Sequence, residues 1–306
     1  MTLLGHNYFL DAFRSFEKSV FAQQNRLSIE QSIHDNAIRH AMKNFSDPVG
    51  LNYELFGSIS FVRDITADQD ATFVRPAHDY NVNVKQYESV LNENSSFQAL
   101  TAIHKSWELL DAFLKNSLAA ILLIDDGLRV AEQTSPSVVT WEYFQSIVRK
   151  RNISFKKITG YDERKDYHHF NIHGIVDFLC RRYPELNRQI NDANCWNLNY
   201  VSFLEMCEII RHAEVHAQGI IKNVSKVNLK LLSGFMNYRE EGKYILLQPS
   251  ISQASLICER IKEFSFMLTK QLSLLYRLPI LDEIEHFSQE QQRQEYEFLL
   301  SRLKEE

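Results

Sequence analysis

Apolar positions recur along most of this chain at intervals of three and four residues, and that period predicts helices. Phe9, Ala12, Phe13, Phe16 and Val20 form one stripe and Ile33, Ala37, Ile38 and Ala41 a second, so residues 6–45 are expected to be helical, closed by Asp47-Pro48-Val49-Gly50. The strongest signal runs from Tyr87 to Ile124, where Phe97, Leu100, Ile103, Trp107, Leu110, Leu114, Leu118 and Ile121 hold the spacing. Further helices are expected from Thr140 onward, over 167–182 with Pro184 as the stop, over 199–223, over 250–277 with Pro279 as the stop, and over 284–304. Period-two alternation is confined to short runs. Residues 58–63 and 71–75 read as one hairpin, and 227–232 with 243–247, flanking Glu240-Glu241-Gly242, as a second.

Composition supports the helical reading. With 9 Gly and 6 Pro in 306 residues, the chain is short of the turn residues that an all-β sandwich or barrel needs, and 44% hydrophobic content suffices for a proper core. No apolar run approaches membrane-spanning length, and the first residues lack a basic segment followed by an apolar one. A cytoplasmic chain without a membrane partner is the expectation. Cys180, Cys195, Cys207 and Cys258 form no CxxC pair, so they read as reduced thiols, with neither zinc site nor disulfide framework.

One stretch of the 199–223 helix carries candidate chemistry: Arg211-His212-Ala213-Glu214-Val215-His216. Its apolar neighbours Phe203, Met206, Ile210, Ala213, Ala217, Ile220 and Ile221 form the core stripe, and Arg211 and His212 stand away from it. At about 100° per residue, His216 lies roughly 140° round the helix from Arg211, so one helix does not converge both on a single bond. Two copies of the helix packed together would, which predicts a homodimer through 199–223. With 11 His in the chain, an Arg-x4-His match is weak by itself, and a second occurs from Arg164 to His169, at a loop-to-helix boundary.

The order Arg, then a polar residue, then three residues and His, late in an all-helical domain, resembles the HEPN family, and the likeness extends loosely over residues 97–278. The resemblance implies an all-α fold: an antiparallel bundle of four to five helices over 87–280, with the motif on the fourth of five. Residues 1–86 would be an N-terminal helical extension with a small hairpin, and 281–306 a charged C-terminal helix. Many family members are metal-independent endoribonucleases, often in toxin–antitoxin or phage-defence systems, and others are inactive dimerisation or binding modules. An antitoxin or regulatory protein would then be a partner beside RNA.

The residue types suit that chemistry. An imidazole such as His216 exchanges protons near neutral pH, and the planar fork of Arg211 suits phosphate oxygens. Attack by the RNA 2′-hydroxyl would leave a 2′,3′-cyclic phosphate, with no cofactor and no metal. His212 and Glu214 would support the pair. A net charge of −5 excludes a surface that grips nucleic acid everywhere, yet residues 149–188 carry ten basic against five acidic side chains. Arg149, Lys150, Arg151, Arg181, Arg182 and Lys222 are therefore the expected RNA contacts, and Tyr161, Tyr167 and Trp196 the candidate stacking rings. The rival uses are metal chelation, by His212 with His216 or His169 with His173, and an inactive binding module.

Overall fold

A computed structural model describes residues 6–44, the strand segments 53–54, 59–63, 72–76 and 81–82, and residues 84–125, 139–152, 154, 156, 159, 167–191, 194 and 196–278. The helix expected at 284–304, Arg164 and Tyr161 lie outside the described residues, as does the side chain of Tyr167. The fold is mostly helical: α1 (Tyr8–Asn44), α2 (Val84–Asp125), α3 (Trp141–Lys150), α4 (Ile172–Arg182), α5 (Pro184–Asn191), α6 (Tyr200–Ala217), α7 (Leu229–Phe235) and α8 (Ile251–Leu275). Short strands fall between α1 and α2 (β1, Tyr53–Glu54; β2, Ile59–Arg63; β3, Thr72–Pro76; β4, Asn81–Val82) and between α6 and α8 (β5, Ile220–Ile221; β6, Tyr238–Glu241; β7, Tyr244–Leu247). The first expected hairpin is β2–β3, antiparallel from Ile59 opposite Pro76 to Arg63 opposite Thr72.

The chain divides into two compact units: residues 1–21, 106–205 and 259–306, and residues 22–105 and 206–258. The boundaries fall inside α1, α2, α6 and α8, so each of these helices gives one stretch to each unit.

In the first unit the opening stripe of α1 is core. Phe9, Phe13 and Phe16 are buried, with Phe13 and Phe16 packed on Phe113 and Phe13 also on Phe266. Thr140 begins α3 as an N-cap, its hydroxyl accepting from the Tyr143 N–H at 3.1 Å. The helix expected over 167–182 is interrupted. Asn171 accepts from the Gly174 N–H at 2.8 Å and starts α4 afresh, leaving Tyr167–Phe170 as a 3-10 turn. Gly174 is required there, since a Cβ would stand 2.5 Å from the His168 carbonyl oxygen. Pro184 does end α4, but it also occupies the first position of α5, where its missing N–H costs nothing.

A polar network joins the C-terminal ends of three helices in this unit. Tyr276 donates to both carboxylate oxygens of Asp125, at 3.0 and 3.1 Å, and accepts from the Tyr183 hydroxyl at 2.7 Å. Arg182 bonds the same carboxylate at 2.6 Å and lies over the Tyr183 and Phe178 rings. Burial pushes the Tyr276 and Tyr183 phenols above their ordinary value near 10. A phenol that stays protonated in the fold while the unfolded chain ionises contributes stability that is intact below about pH 10 and lost as pH rises beyond it. Tyr276→Phe is thus expected to lower stability at pH 7 by about 1 kcal/mol and to make the alkaline loss above about pH 10 shallower, both read from urea melts across pH.

In the second unit α2 and α6 run antiparallel: Leu100 lies against Gly219, and His104 against Glu214. The helix expected to continue to residue 223 stops at Ala217. Gln218 and Gly219 take positive φ values of 51° and 84°, the Gly219 N–H bonds back to the Ala213 carbonyl at 2.9 Å, and the chain leaves as β5. A three-stranded antiparallel sheet, ordered β5-β7-β6, follows. The second expected hairpin forms around Gly242, but its first arm is Tyr238–Glu241 and not 227–232. The latter run is helical in α7, because Asn228 caps it, accepting from the Leu231 N–H at 3.1 Å, and Leu229 and Leu232 share a face. Between residues 84 and 275 there are seven described α-helices, with the motif on the fifth; the expected count was five, with the motif on the fourth.

Among the apolar residues expected in stripes, Ile33, Phe97 and Ile220 are exposed. Phe97 leaves the core because α2 buries the Ala99, Leu100, Ala102 and Ile103 side at that level, and Ile33 lies on the open side of α1. Cys207 and Cys258 are buried and unbridged, and burial, with Cys258 alongside, pushes the Cys207 thiol well up. A protonated, enclosed thiol does not alkylate. Iodoacetamide at pH 8 should therefore modify Cys207 and Cys258 only after denaturant is added, by peptide mass mapping.

Candidate functional site

The whole motif belongs to the second unit. Burial of Ile210 and Ala213 fixes the rotation of α6, and Arg211, Glu214 and the His212/His216 pair then point in three directions. Glu214 turns toward α2. Its Oε2 lies 2.9 Å from His104 Nδ1, and its Oε1 accepts from the Thr101 hydroxyl at 3.4 Å. These two ionisable side chains are only 12% and 15% exposed, so they form an interior pair.

His212 and His216 sit one turn apart on the exposed side, edge to face, with ring centroids 4.7 Å apart. The fold thus places His216 beside His212 and not beside Arg211, as the angular offset required. Among the described residues no group of three or more His, Cys, Asp or Glu could hold a metal ion, which leaves the His212/His216 chelate without a third ligand there.

Arg211 is the anomaly. It is half-buried, and its Nε is buried without a hydrogen-bond partner among the described residues. A donor left in that condition costs about 1–3 kcal/mol, and buried polar groups in folded proteins are otherwise nearly always satisfied. Chemically it is a fixed cation, and its enclosed Nε is an N–H donor left unused among the described residues.

The other basic residues divide between the units. Arg149, Lys150, Arg151, Arg181 and Arg182 belong to the first, and Lys222, exposed after β5, to the second with Arg211. Arg181 pairs with Asp177 and Arg182 with Asp125, so two of the six are already neutralised. Arg149, Lys150 and Arg151 are exposed at the end of α3. Of the stacking rings, Trp196 is half exposed, but one face carries the Arg260 guanidinium 3.5 Å from the ring centre. His104 and Thr101 are the residues that sequence reasoning missed. Their signal was a polar pair three apart inside the long apolar pattern of α2, the helix face that meets Glu214.

Comparison with protein-family models, with curated proteins and with solved structures finds no match.

If the unused Nε marks an anion site, inorganic phosphate should raise the thermal midpoint above that in sodium chloride of matched ionic strength. Arg211→Leu should lose that rise while being no less stable than the parent, because it removes an unsatisfied buried donor. Equal phosphate stabilisation of both proteins would place the anion elsewhere.

Proposed function

We propose that this chain is a metal-independent endoribonuclease of the HEPN type, acting as a homodimer through α6 in a toxin or phage-defence setting. The observation that carries the reading is the Nε of Arg211, buried without a partner among the described residues, on the same helix as the exposed His212/His216 pair. Arg211 binds the scissile phosphate and offsets the charge that builds on it. His216 takes the 2′-hydroxyl proton, the freed oxygen attacks phosphorus, and the 5′-oxygen leaves with a proton taken from water, giving a 2′,3′-cyclic phosphate and a 5′-hydroxyl end. His212, in contact with His216, orients it. Glu214 supports the site from behind, by holding α6 to His104 and Thr101 of α2.

Because Arg211 and His216 project in different directions on one helix, the reading needs two copies, each closing the other's cleft. The same offset favours the second reading, a binding module in which Arg211 holds phosphate and nothing is cut. RNA is expected to be cleaved in the presence of EDTA to cyclic-phosphate ends, with Arg211→Ala and His216→Ala each lowering turnover at least a hundredfold and leaving the melting curve in place. Binding without cleavage at any protein concentration would select the module, and cleavage lost with EDTA and restored by a divalent ion would overturn the mechanism.

A further inference from the structure

We propose that the second unit contains a nucleobase pocket, in which Phe97 stacks on a base and the carboxamides of Gln218 and Gln248 read its edge. The pocket is a cavity of about 660 Å³ lined by the start of α2, the end of α6 and the segment after β7. Its one large aromatic surface is Phe97, 55% exposed.

The polar lining is unevenly committed. Asn92 accepts from His34 at 3.1 Å, the Asn237 carboxamide is held by Gln253 at 3.2 Å, and Arg239 pairs with Glu241. The side chains of Gln218 and Gln248 make no hydrogen bond among the described residues. What the cavity has left to offer is thus a flat ring, two carboxamides, each with donor and acceptor side by side, and the hydroxyls of Ser95 and Ser96. That combination matches a base edge, since a carboxamide meets adenine N6 and N7 with two bonds, and single-stranded bases are recognised by stacking together with edge contacts. A free anion is a poorer fit, because the one guanidinium there is already paired and Glu93 shares the lining.

Gln218 supplies an independent sign. It holds φ at 51°, a left-handed conformation that costs a non-glycine residue about 1–2 kcal/mol, and its side chain lines the cavity. It also follows Arg211 by seven residues, about 10 Å along the axis of α6. That RNA supplies the base rests on the nuclease reading above, whereas binding of an isolated nucleoside does not.

Titration calorimetry of the full chain with adenosine, cytidine and, as a polyol without a flat ring, glucose tests the assignment. Adenosine should bind most tightly and glucose not at all. Gln218→Gly should weaken adenosine about tenfold while leaving the thermal midpoint unchanged or raised, because glycine suits that backbone, and Phe97→Ala should weaken it at least as much. Arg211→Leu should bind adenosine like the parent, so loss of cleavage and loss of the pocket are separable. No nucleoside binding at millimolar concentration, binding indifferent to both substitutions, or glucose bound as well as adenosine would overturn the pocket.

Discussion

The reversal at Gln218-Gly219 is the constraint on which the second unit depends. It stops α6 one turn short of where its apolar pattern points and hands the chain to a sheet: the Gly219 N–H satisfies Ala213 in the helix, while its carbonyl accepts from the Leu247 N–H. Leu100 closes on the bare α-carbon, at 3.0 Å from where a Cβ would stand. A side chain there would be strained by the backbone and crowded by α2 at once. The turn therefore sets how far α6 slides along α2, and through that where Glu214 meets His104 and Thr101.

Helices with caps and wide apolar stripes were legible in the chain: α1, α2, α3 and α8 fall where the spacing of Phe, Leu and Ile put them. What was not legible came from competition between equal local signals. Residues 227–232 carry a continuous apolar run that suits strand or helix alike, and the decision belonged to the Asn228 side chain. Ile220 and Ile221 continue the period of α6, yet two left-handed residues before them end it. Pro184 read as a stop and was also a start.

Of the site, the position of the motif on a helix and the divergence of Arg211 from His216 followed from angular arithmetic alone. The partner of Glu214 did not, because it lies more than a hundred residues away on α2 and no local rule links the two. Nor could a count of basic residues foresee that Asp177 and Asp125 neutralise Arg181 and Arg182, or that the Nε of Arg211 would be buried without a hydrogen-bond partner among the described residues.

That half-buried guanidinium has an energetic meaning. Its Nε is already stripped of water, so that desolvation, with the loss of rotamer freedom in the half-buried stem, is incurred when the chain folds and not when anything binds. The resting chain therefore carries the cost of an unused donor, and an apolar side chain at 211 relieves it of that standing load.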